Sequence, residues 1–336
     1  MITSVCEINK SSLNCAKNLI ESEELVAFPT ETVYGLGGLA TSDLAVAKIF
    51  KAKGRPSDNP LIVHVHKDYD LTKLVEISND YVYTLIKAFM PGPLTLVLKS
   101  KGVVSSLVSC GLDTLAVRIP SHEGCQRFLK EVDLPIAAPS ANLSKHTSPV
   151  TASHVFNDLN GKISLVLDGG KCSGGIESTV LDVTGDTPLI LRSGLITREM
   201  IISAVGKCEY RDKPEGDKVR SPGMKYTHYK PRCETVLFSE NQLDLAQKYY
   251  NERLNEGKVP YFLCDDLTAK NLDGNKLLLG ETSEIIASNL YYKLLEGETV
   301  ADVIVAVKIN TGNEIDVGIM NRLEKACAPY KKEGEL

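Results

Sequence analysis

The chain has 336 residues, more than one ordinary hydrophobic core accommodates, so length alone favours two domains. With 43% hydrophobic and 24% charged residues it has apolar material for two cores, which excludes wholesale disorder. Its 38 basic and 43 acidic side chains leave a net charge of -5, which argues against a protein that coats polyanions but permits local basic clusters.

No uncharged apolar run approaches the roughly 20 residues that cross a bilayer. Met1–Lys10 is polar and acidic where a secretory signal needs an apolar stretch, so no membrane association is expected. The nine cysteines are odd in number and contain no Cys-x-x-Cys pair, which excludes a zinc ribbon or disulfide framework and points to a reducing cytoplasm. None of the six histidines falls in a helical metal-binding pattern. His64 and His66 flank Val65 on an expected strand and should face one side.

In chain order, Ser12–Glu21 reads as a helix and Glu24–Phe28 as a strand. Thr41–Lys53 is helical, with Asp43 in its first turn and Leu44, Ala47, Ile49 and Phe50 marking its apolar face. Leu61–Val65 is a buried strand, Tyr81–Phe89 a helix, and Leu94–Lys99, Thr114–Ile119 and Pro135–Ala138 are further strands. Ile163–Leu167, Thr179–Val183 and Leu189–Leu191 follow around a glycine-rich loop. So many irregularly connected strands imply one large, mixed α/β sheet over residues 1–208. From 209 to 232 the chain is polar and proline-bearing and reads as a linker.

Residues 233–336 resume a βαβ rhythm. Glu234–Phe238, Val259–Cys264, Lys276–Leu279 and Val303–Val307 are strands. Gln242–Asn255, Ser283–Leu295 and Gly318–Ala326 are helices. Leu243, Ala246, Tyr250 and Leu254 give the first helix an apolar stripe. The pattern predicts a smaller, parallel α/β layer domain.

The polar oddities fall at strand ends and loops of the first domain. Pro29-Thr30-Glu31-Thr32-Val33-Tyr34-Gly35-Leu36-Gly37-Gly38 follows a strand and precedes a helix. Its glycines imitate a dinucleotide fingerprint, but Arg55 stands where that motif needs an acidic residue. A tight strand-to-helix turn is the plainer alternative. Lys48, Lys51, Lys53 and Arg55 cluster before two prolines and a buried strand, Arg118 closes Leu115-Ala116-Val117, and Arg192 ends Leu189-Ile190-Leu191. Cations so placed suggest a polyphosphate or carboxylate ligand. Pairing of each with a distant Asp or Glu is the alternative. Two small-residue loops, Ala137–Asn142 running on to Ser148-Pro149, and Gly169–Thr179, would let backbone N–H groups approach phosphate oxygens, although neither is a Walker loop. No catalytic triad pattern appears. The residues describe a nucleotide or acyl-phosphate site without a covalent nucleophile.

These segments together resemble the Sua5/YrdC family of threonylcarbamoyl-AMP synthases. The likeness is carried by Phe28-PTETVYGLG-Gly38, Lys53-Gly54-Arg55-Pro56 with Asn59-Pro60-Leu61, and Met90-Pro-Gly-Pro-Leu-Thr95. It continues in Leu115-Ala-Val-Arg118-Ile-Pro120, Ala138-Pro-Ser140-Ala-Asn142, Ile176-Glu177-Ser178-Thr179 and Leu191-Arg192-Ser193-Gly194. Ser221-PGMKYTHYK-Pro231 and the second α/β domain are similar to the long, two-domain Sua5 form. Lys230, where a small residue is expected, is a minor departure.

The resemblance implies a YrdC-like mixed twisted sheet followed by a Rossmann-like parallel domain. It implies a nucleotidyltransferase that makes threonylcarbamoyl-AMP and diphosphate from L-threonine, bicarbonate and ATP, with Mg²⁺ carried on the triphosphate rather than in a protein cage. The product would feed the t6A modification at position 37 of tRNAs reading ANN codons through a separate transfer complex, so contact with tRNA would be indirect. By similarity Lys53, Arg55, Asn59, Thr114, Ser140, Asn142, Ser148 and Arg192 should line the ATP site, with Lys53 and Arg55 acting in catalysis. Thr32, His64, Arg118, Ala138 and Ser178 should surround threonine. Residues 221–231 are expected to fold over the pocket, with Tyr226, His228 and Tyr229 toward the nucleotide. A tRNA or double-stranded-RNA binder without catalysis is the rival from another class, disfavoured by the net charge. Adenylation of carbamoyl phosphate, as in hydrogenase-maturation proteins, is a second enzymatic alternative, but those carry acylphosphatase and zinc-finger segments that this chain lacks.

Overall fold

Asn9 starts the first helix, Lys10–Glu21: its side chain accepts from the Ser11 and Ser12 amides, and the Ser12 hydroxyl accepts from the Asn9 amide. The next helix, Asp43–Lys53, begins where the Ser42 hydroxyl accepts from the Ala45 amide and stops at Gly54, whose left-handed backbone (φ 59°) suits glycine. Its buried face is Ala45, Val46, Ile49 and Phe50. Leu44 and Ala47, expected on that face, are exposed. The pattern allowed two adjacent stripes, and packing beneath Gly38, where Ile49 and Ala45 approach together with Leu25, selects one.

In the computed structural model residues 2–211 and 229–331 are described. The chain forms two units, Met1–Ser144 with Ser148–Tyr226, and Lys145–Thr147 with Thr227–Leu336. In the first unit the strands are β1 (Ser4–Glu7), β2 (Val26–Phe28), β3 (Gly35–Leu39), β4 (Ile62–His64), β5 (Val75–Glu76) and β6 (Leu94–Ser100). They continue as β7 (Thr114–Arg118), β8 (Ile136–Ala138), β9 (Leu165–Asp168), β10 (Thr179–Asp182), β11 (Leu189–Arg192) and β12 (Glu209–Tyr210). They make one mixed sheet in the order β1-β9-β2-β3-β8-β4-β7-β6-β10-β11-β12, with β5 on β6. Glu209–Tyr210, expected to open the linker, is its edge strand, parallel to β11.

The sequence predicted a turn running from β2 into a helix, but the chain returns as β3, antiparallel to β2 with Val26 opposite Gly37. Glycine is required there for space: a Cβ at Gly37 would meet Phe28 and Ile136 at 2.8 Å, and one at Gly35 would meet Phe28 at 3.0 Å. One core lies under this region, with Leu13, Ile20, Phe28, Phe128, Leu129 and Leu167 buried. Phe128 and Leu129 come from helix Glu123–Val132, which has no counterpart in the sequence expectations; nor have Ala152–Leu159 and Arg198–Val205.

Across the middle of the sheet, register sets rows on one face. His64 pairs with Arg118 and Arg118 with Thr95; Ile62 pairs with Ala116 and Ala116 with Val97. The first row is polar. The residues of the second pack with Val180, which stands opposite Thr95, and with Leu191 as a small apolar cluster. A sheet face that changes from polar to apolar within one residue pair suits a ligand with a charged and a flat apolar part.

The second unit carries β13 (Glu234–Phe238), β14 (Pro260–Cys264), β15 (Lys276–Leu278), β16 (Val303–Val307) and β17 (Ala328–Pro329) in the order β15-β14-β16-β13-β17, every pair parallel. Phe238, Tyr250, Phe262 and Val305 fill its core. Of the stripe expected on helix Leu243–Asn255, Ala246 and Tyr250 are buried, whereas Leu254 is 52% exposed near the helix end. Helix Ser283–Val300 runs one turn beyond its expected end at Leu295. Among the described residues no helix is long and apolar enough to cross a membrane.

Candidate active site

Thr30 organises the loop between β2 and β3. Its hydroxyl donates to the Val33 carbonyl at 2.6 Å and accepts from the Thr32 and Val33 amides. With that proton spent, the Thr32 hydroxyl donates to Thr30 (2.8 Å) and its lone pair accepts from Arg118 Nη1 (2.9 Å). Arg118 also meets Glu31 Oε1 at 2.9 Å, both side chains nearly buried. The alternative left open by the sequence, a distant acidic partner, therefore holds for Arg118, and the pair fixes the guanidinium at the end of β7.

Next to Arg118 in the same row, Thr95 hydrogen-bonds Ser178 between hydroxyls at 2.8 Å. Arg192 donates to the Ser178 carbonyl from Nε (3.1 Å) and Nη2 (2.9 Å) and reaches its hydroxyl at 3.2 Å. His64 is buried, with Nδ1 on the Ile62 carbonyl at 3.1 Å and its ring edge-on to Phe28. Burial, followed by the positive charge of Arg118, pushes its pKa down to about 3, so the ring is neutral at neutral pH. His66 lies beyond the end of β4 and pairs with Asp133 at 2.7 Å, so the two histidines do not share a strand face as expected.

The second group of expected residues gathers around Lys53. Its ammonium donates to the carbonyls of Ser140 (2.5 Å) and Asn142 (2.6 Å), with Asn142 Oδ1 at 3.4 Å. Burial, then the neighbouring Arg55, holds the Lys53 pKa well below the usual range, while Asp158 opposes the shift. The Ser140 hydroxyl donates to Asn142 Oδ1 at 2.5 Å, the Leu143 amide to Asp158, and the Ser144 amide returns to the Lys53 carbonyl. Arg55 donates to the Asn59 carbonyl at 3.1 Å. Asn59 is 1% exposed.

Ser148 joins the two groups, its hydroxyl donating to Glu177 Oε1 at 2.7 Å immediately before Ser178. Ala138 ends β8 opposite Ile62, two residues along β4 from His64, whose own partner on β8 is Ile136. Thr114 opens β7, two residues before the partner of Ile62, at the Asn59–Pro60 end of the β4–β7 pair and away from Arg118. It also lines a separate hollow of about 330 Å³ with Glu76, Lys99 and Asp182. Tyr226 and His228 lie outside the described residues. Tyr229, expected toward the nucleotide, instead has its ring against Tyr291 of the second unit (centroids 5.2 Å apart) and is 5% exposed.

Glu31, Thr95, Asp158 and Glu177 went unassigned in the sequence. The first, second and fourth stood inside the quoted motifs, so a signal was there; Asp158, on a helix without a motif, had none. Tyr34 braces the glycine-rich loop by donating to the Gly170 carbonyl (2.8 Å) and accepting from the Gly169 amide (3.1 Å). Burial raises Cys125 and takes Cys172 up to about 12, so neither thiol supplies a nucleophilic thiolate. Among the described residues no group of three or more His, Cys, Asp or Glu could hold a metal ion. The arrangement provides a polar socket at Thr32, Arg118, Thr95 and Ser178, with Arg192 on Ser178, and a cationic and hydroxyl-rich wall at Lys53, Arg55, Ser140 and Ser148.

A family profile described as telomere recombination, the Sua5/YciO/YrdC family, matches residues 18–194, and one described as the threonylcarbamoyl-AMP synthase C-terminal domain matches residues 196–328. The chain belongs to the Sua5/YciO/YrdC family. Its relatives include a Pyrococcus abyssi threonylcarbamoyl-AMP synthase, 40% identical over 324 residues with 95% of each chain covered. A Bacillus subtilis threonylcarbamoyl-AMP synthase is 40% identical over 335 residues, covering 97% of this chain and 96% of the relative. The crystal structure of P. abyssi Sua5 complexed with L-threonine superposes with a TM-score of 0.87 at 37% identity, covering 98% of this chain and 99% of that one. Escherichia coli YciO, at 20% identity and a TM-score of 0.52, shares the fold over 58% of this chain. The Sua5 segments thus account for both units.

Proposed function

We propose that this protein is a threonylcarbamoyl-AMP synthase, a nucleotidyltransferase that converts L-threonine, bicarbonate and ATP to threonylcarbamoyl-AMP and diphosphate. The observation that carries this reading is the junction at Glu177–Ser178, where the polar socket meets a wall of cations and hydroxyls. Full-length similarity to proteins named for that activity supports it.

In this reading threonine enters the polar socket, with its carboxylate on Arg118, whose guanidinium is already oriented by Glu31 and Thr32. The neutral amine attacks the bicarbonate carbon, forming the N–C bond as a C–O bond breaks and water leaves, which gives a carbamate. A carbamate oxygen then attacks the α-phosphorus of ATP and diphosphate leaves. Both partners are anions, so the barrier falls where fixed positive charge awaits them; Arg55 and Arg192 supply it, and Lys53 shapes the Ser140–Asn142 turn that faces the phosphates. No side chain needs to become a covalent nucleophile. Mg²⁺ enters as part of the MgATP substrate, held by phosphate oxygens. The product is an activated acyl donor for t6A formation by a separate transfer complex in the cytoplasm, with tRNA bound elsewhere.

The test is diphosphate release from ATP by the purified full chain. Release should need threonine and bicarbonate together and should be accompanied by threonylcarbamoyl-AMP in the mass spectrum. Release driven by carbamoyl phosphate instead, or none with either substrate, would sink the reading.

A further inference from the structure

We propose that Glu298, on helix Ser283–Val300 of the second unit, is a positioning residue for nucleotide binding, acting through the chain segment between Asn142 and Ser148. The proposal rests on the synthase reading only in taking those two residues as part of the ATP site. Lys145–Thr147, which links them in sequence, packs as part of the second unit.

Three hydrogen-bonded connections hold the segment. His146 Nε2 meets Glu298 Oε2 at 2.9 Å and Oε1 at 3.1 Å, each side chain only 9% exposed. The Thr147 hydroxyl donates to the Tyr229 carbonyl at 3.0 Å, and the Lys230 amide donates to the Lys145 carbonyl at 3.0 Å. Glu298 also accepts from the Arg232 amide at 3.0 Å, so one carboxylate ties both segments to the helix. Two turns earlier on that helix, Tyr291 packs on the Tyr229 ring.

Backbone conformation shows how firmly the segment is held. Lys145 (φ 73°) and Tyr229 (φ 70°) both take the left-handed conformation that non-glycine residues rarely adopt, and they face each other across the Lys230–Lys145 hydrogen bond. Such residues persist only where their surroundings over-determine them. A five-residue connection, 143–147, with its middle clamped cannot drift without moving its ends. Asn142 touches Lys53 and Ser140, so displacement would be felt first at the phosphate side, whereas Thr32 and Arg118 are held by each other, Thr30 and Glu31.

Removal of the carboxylate takes a partner from the buried His146 ring and from the Arg232 amide, and misplacement of a binding group by even an ångström is costly. In the full chain, Glu298→Ala should weaken ATP binding, measured by calorimetry without threonine, and raise the KM for ATP, each by about tenfold or more. The KM for threonine should stay within about twofold. His146→Ala should do the same, and the double variant should be no worse than the single ones, because the two groups act as one unit. Glu298→Gln, which keeps an acceptor oxygen, should restore part of the ATP affinity and carries the test if the alanine variant does not fold. Unchanged ATP affinity in the folded Glu298 variants, or equal weakening of ATP and threonine, would overturn the proposal. Failure of the synthase reading would show separately, as absent threonine-dependent turnover in the unsubstituted protein, while the ATP titration still reports on the clamp.

Discussion

Lys53 donates to the Ser140 carbonyl at 2.5 Å, across 87 residues of chain, and its remaining donors are directed at Asn142. An ammonium surrounded this way shapes the loop it touches more than it meets a ligand directly. Arg55, with its nearest described hydrogen bonds on the Asn59 and Pro60 carbonyls, is the cation better placed to meet phosphate.

Both substitutions should therefore reduce activity, for different reasons. Arg55→Ala should lower threonine-dependent diphosphate release by about 10²-fold or more, because a preorganised cation at a transferring phosphoryl group contributes several kcal/mol. Lys53→Met should lose a similar factor and also destabilise the fold by about 1–3 kcal/mol for each buried carbonyl left without a partner. Near-normal turnover in both variants, measured on folded protein, contradicts the assignment.

Substrate choice tests the polar socket. If a hydroxyl or imidazole there reads the threonine hydroxyl, serine should lose only a methyl contact, about 1–3 kcal/mol in kcat/KM. The analogue 2-aminobutyrate, which keeps the methyl group and lacks the hydroxyl, should lose more, because it strands a buried polar group. Equal kcat/KM for threonine and 2-aminobutyrate would show that Thr32, His64 and Ser178 do not read the hydroxyl.

Much of this site was legible in the sequence because its parts are short contiguous motifs at strand ends, where residue type and position coincide. Arg118 after Leu115-Ala116-Val117 and Ser178 before Thr179 are examples. What stayed hidden depends on tertiary pairing. Glu31 was visible as a letter, but its partnership with Arg118 spans 87 residues and leaves no local trace. The strand at Gly35–Leu39 was hidden because glycine has low strand propensity; the close approach of Phe28 and Ile136 explains the choice. The placement of Lys145–Thr147 within the second unit could not be read from a loop with no distinguishing composition.

That crowding is itself testable. Gly37→Ala places a methyl group 2.8 Å from Phe28 and Ile136, inside a packed core, and should cost about 1–3 kcal/mol. For a domain of this size the melting temperature should fall by about 2–4 °C for each kcal/mol. Gly185→Ala adds a methyl where nothing lies within 4 Å and serves as the control, with little expected change. Equal melting temperatures for the two variants would show that Phe28 yields without cost.

Acid should weaken the fold through His64. In the folded protein its ring takes a proton only near pH 3, against 6.5 for the free side chain, because burial and Arg118 oppose the charge. Between those values the unfolded chain binds one proton more than the folded chain, so stability rises with pH across the window and is level above it. The contribution is complete above about pH 6.5 and drains as pH falls, by about 1.4 kcal/mol per pH unit at most. His64→Gln keeps a donor for the Ile62 carbonyl and removes the titration. Urea unfolding at pH 7.5 and 5.0 should therefore show the unsubstituted protein losing about 2 kcal/mol more than the variant over that interval. Parallel losses in the two proteins would mean that the ring is reached by solvent and that Arg118 does not restrain its charge.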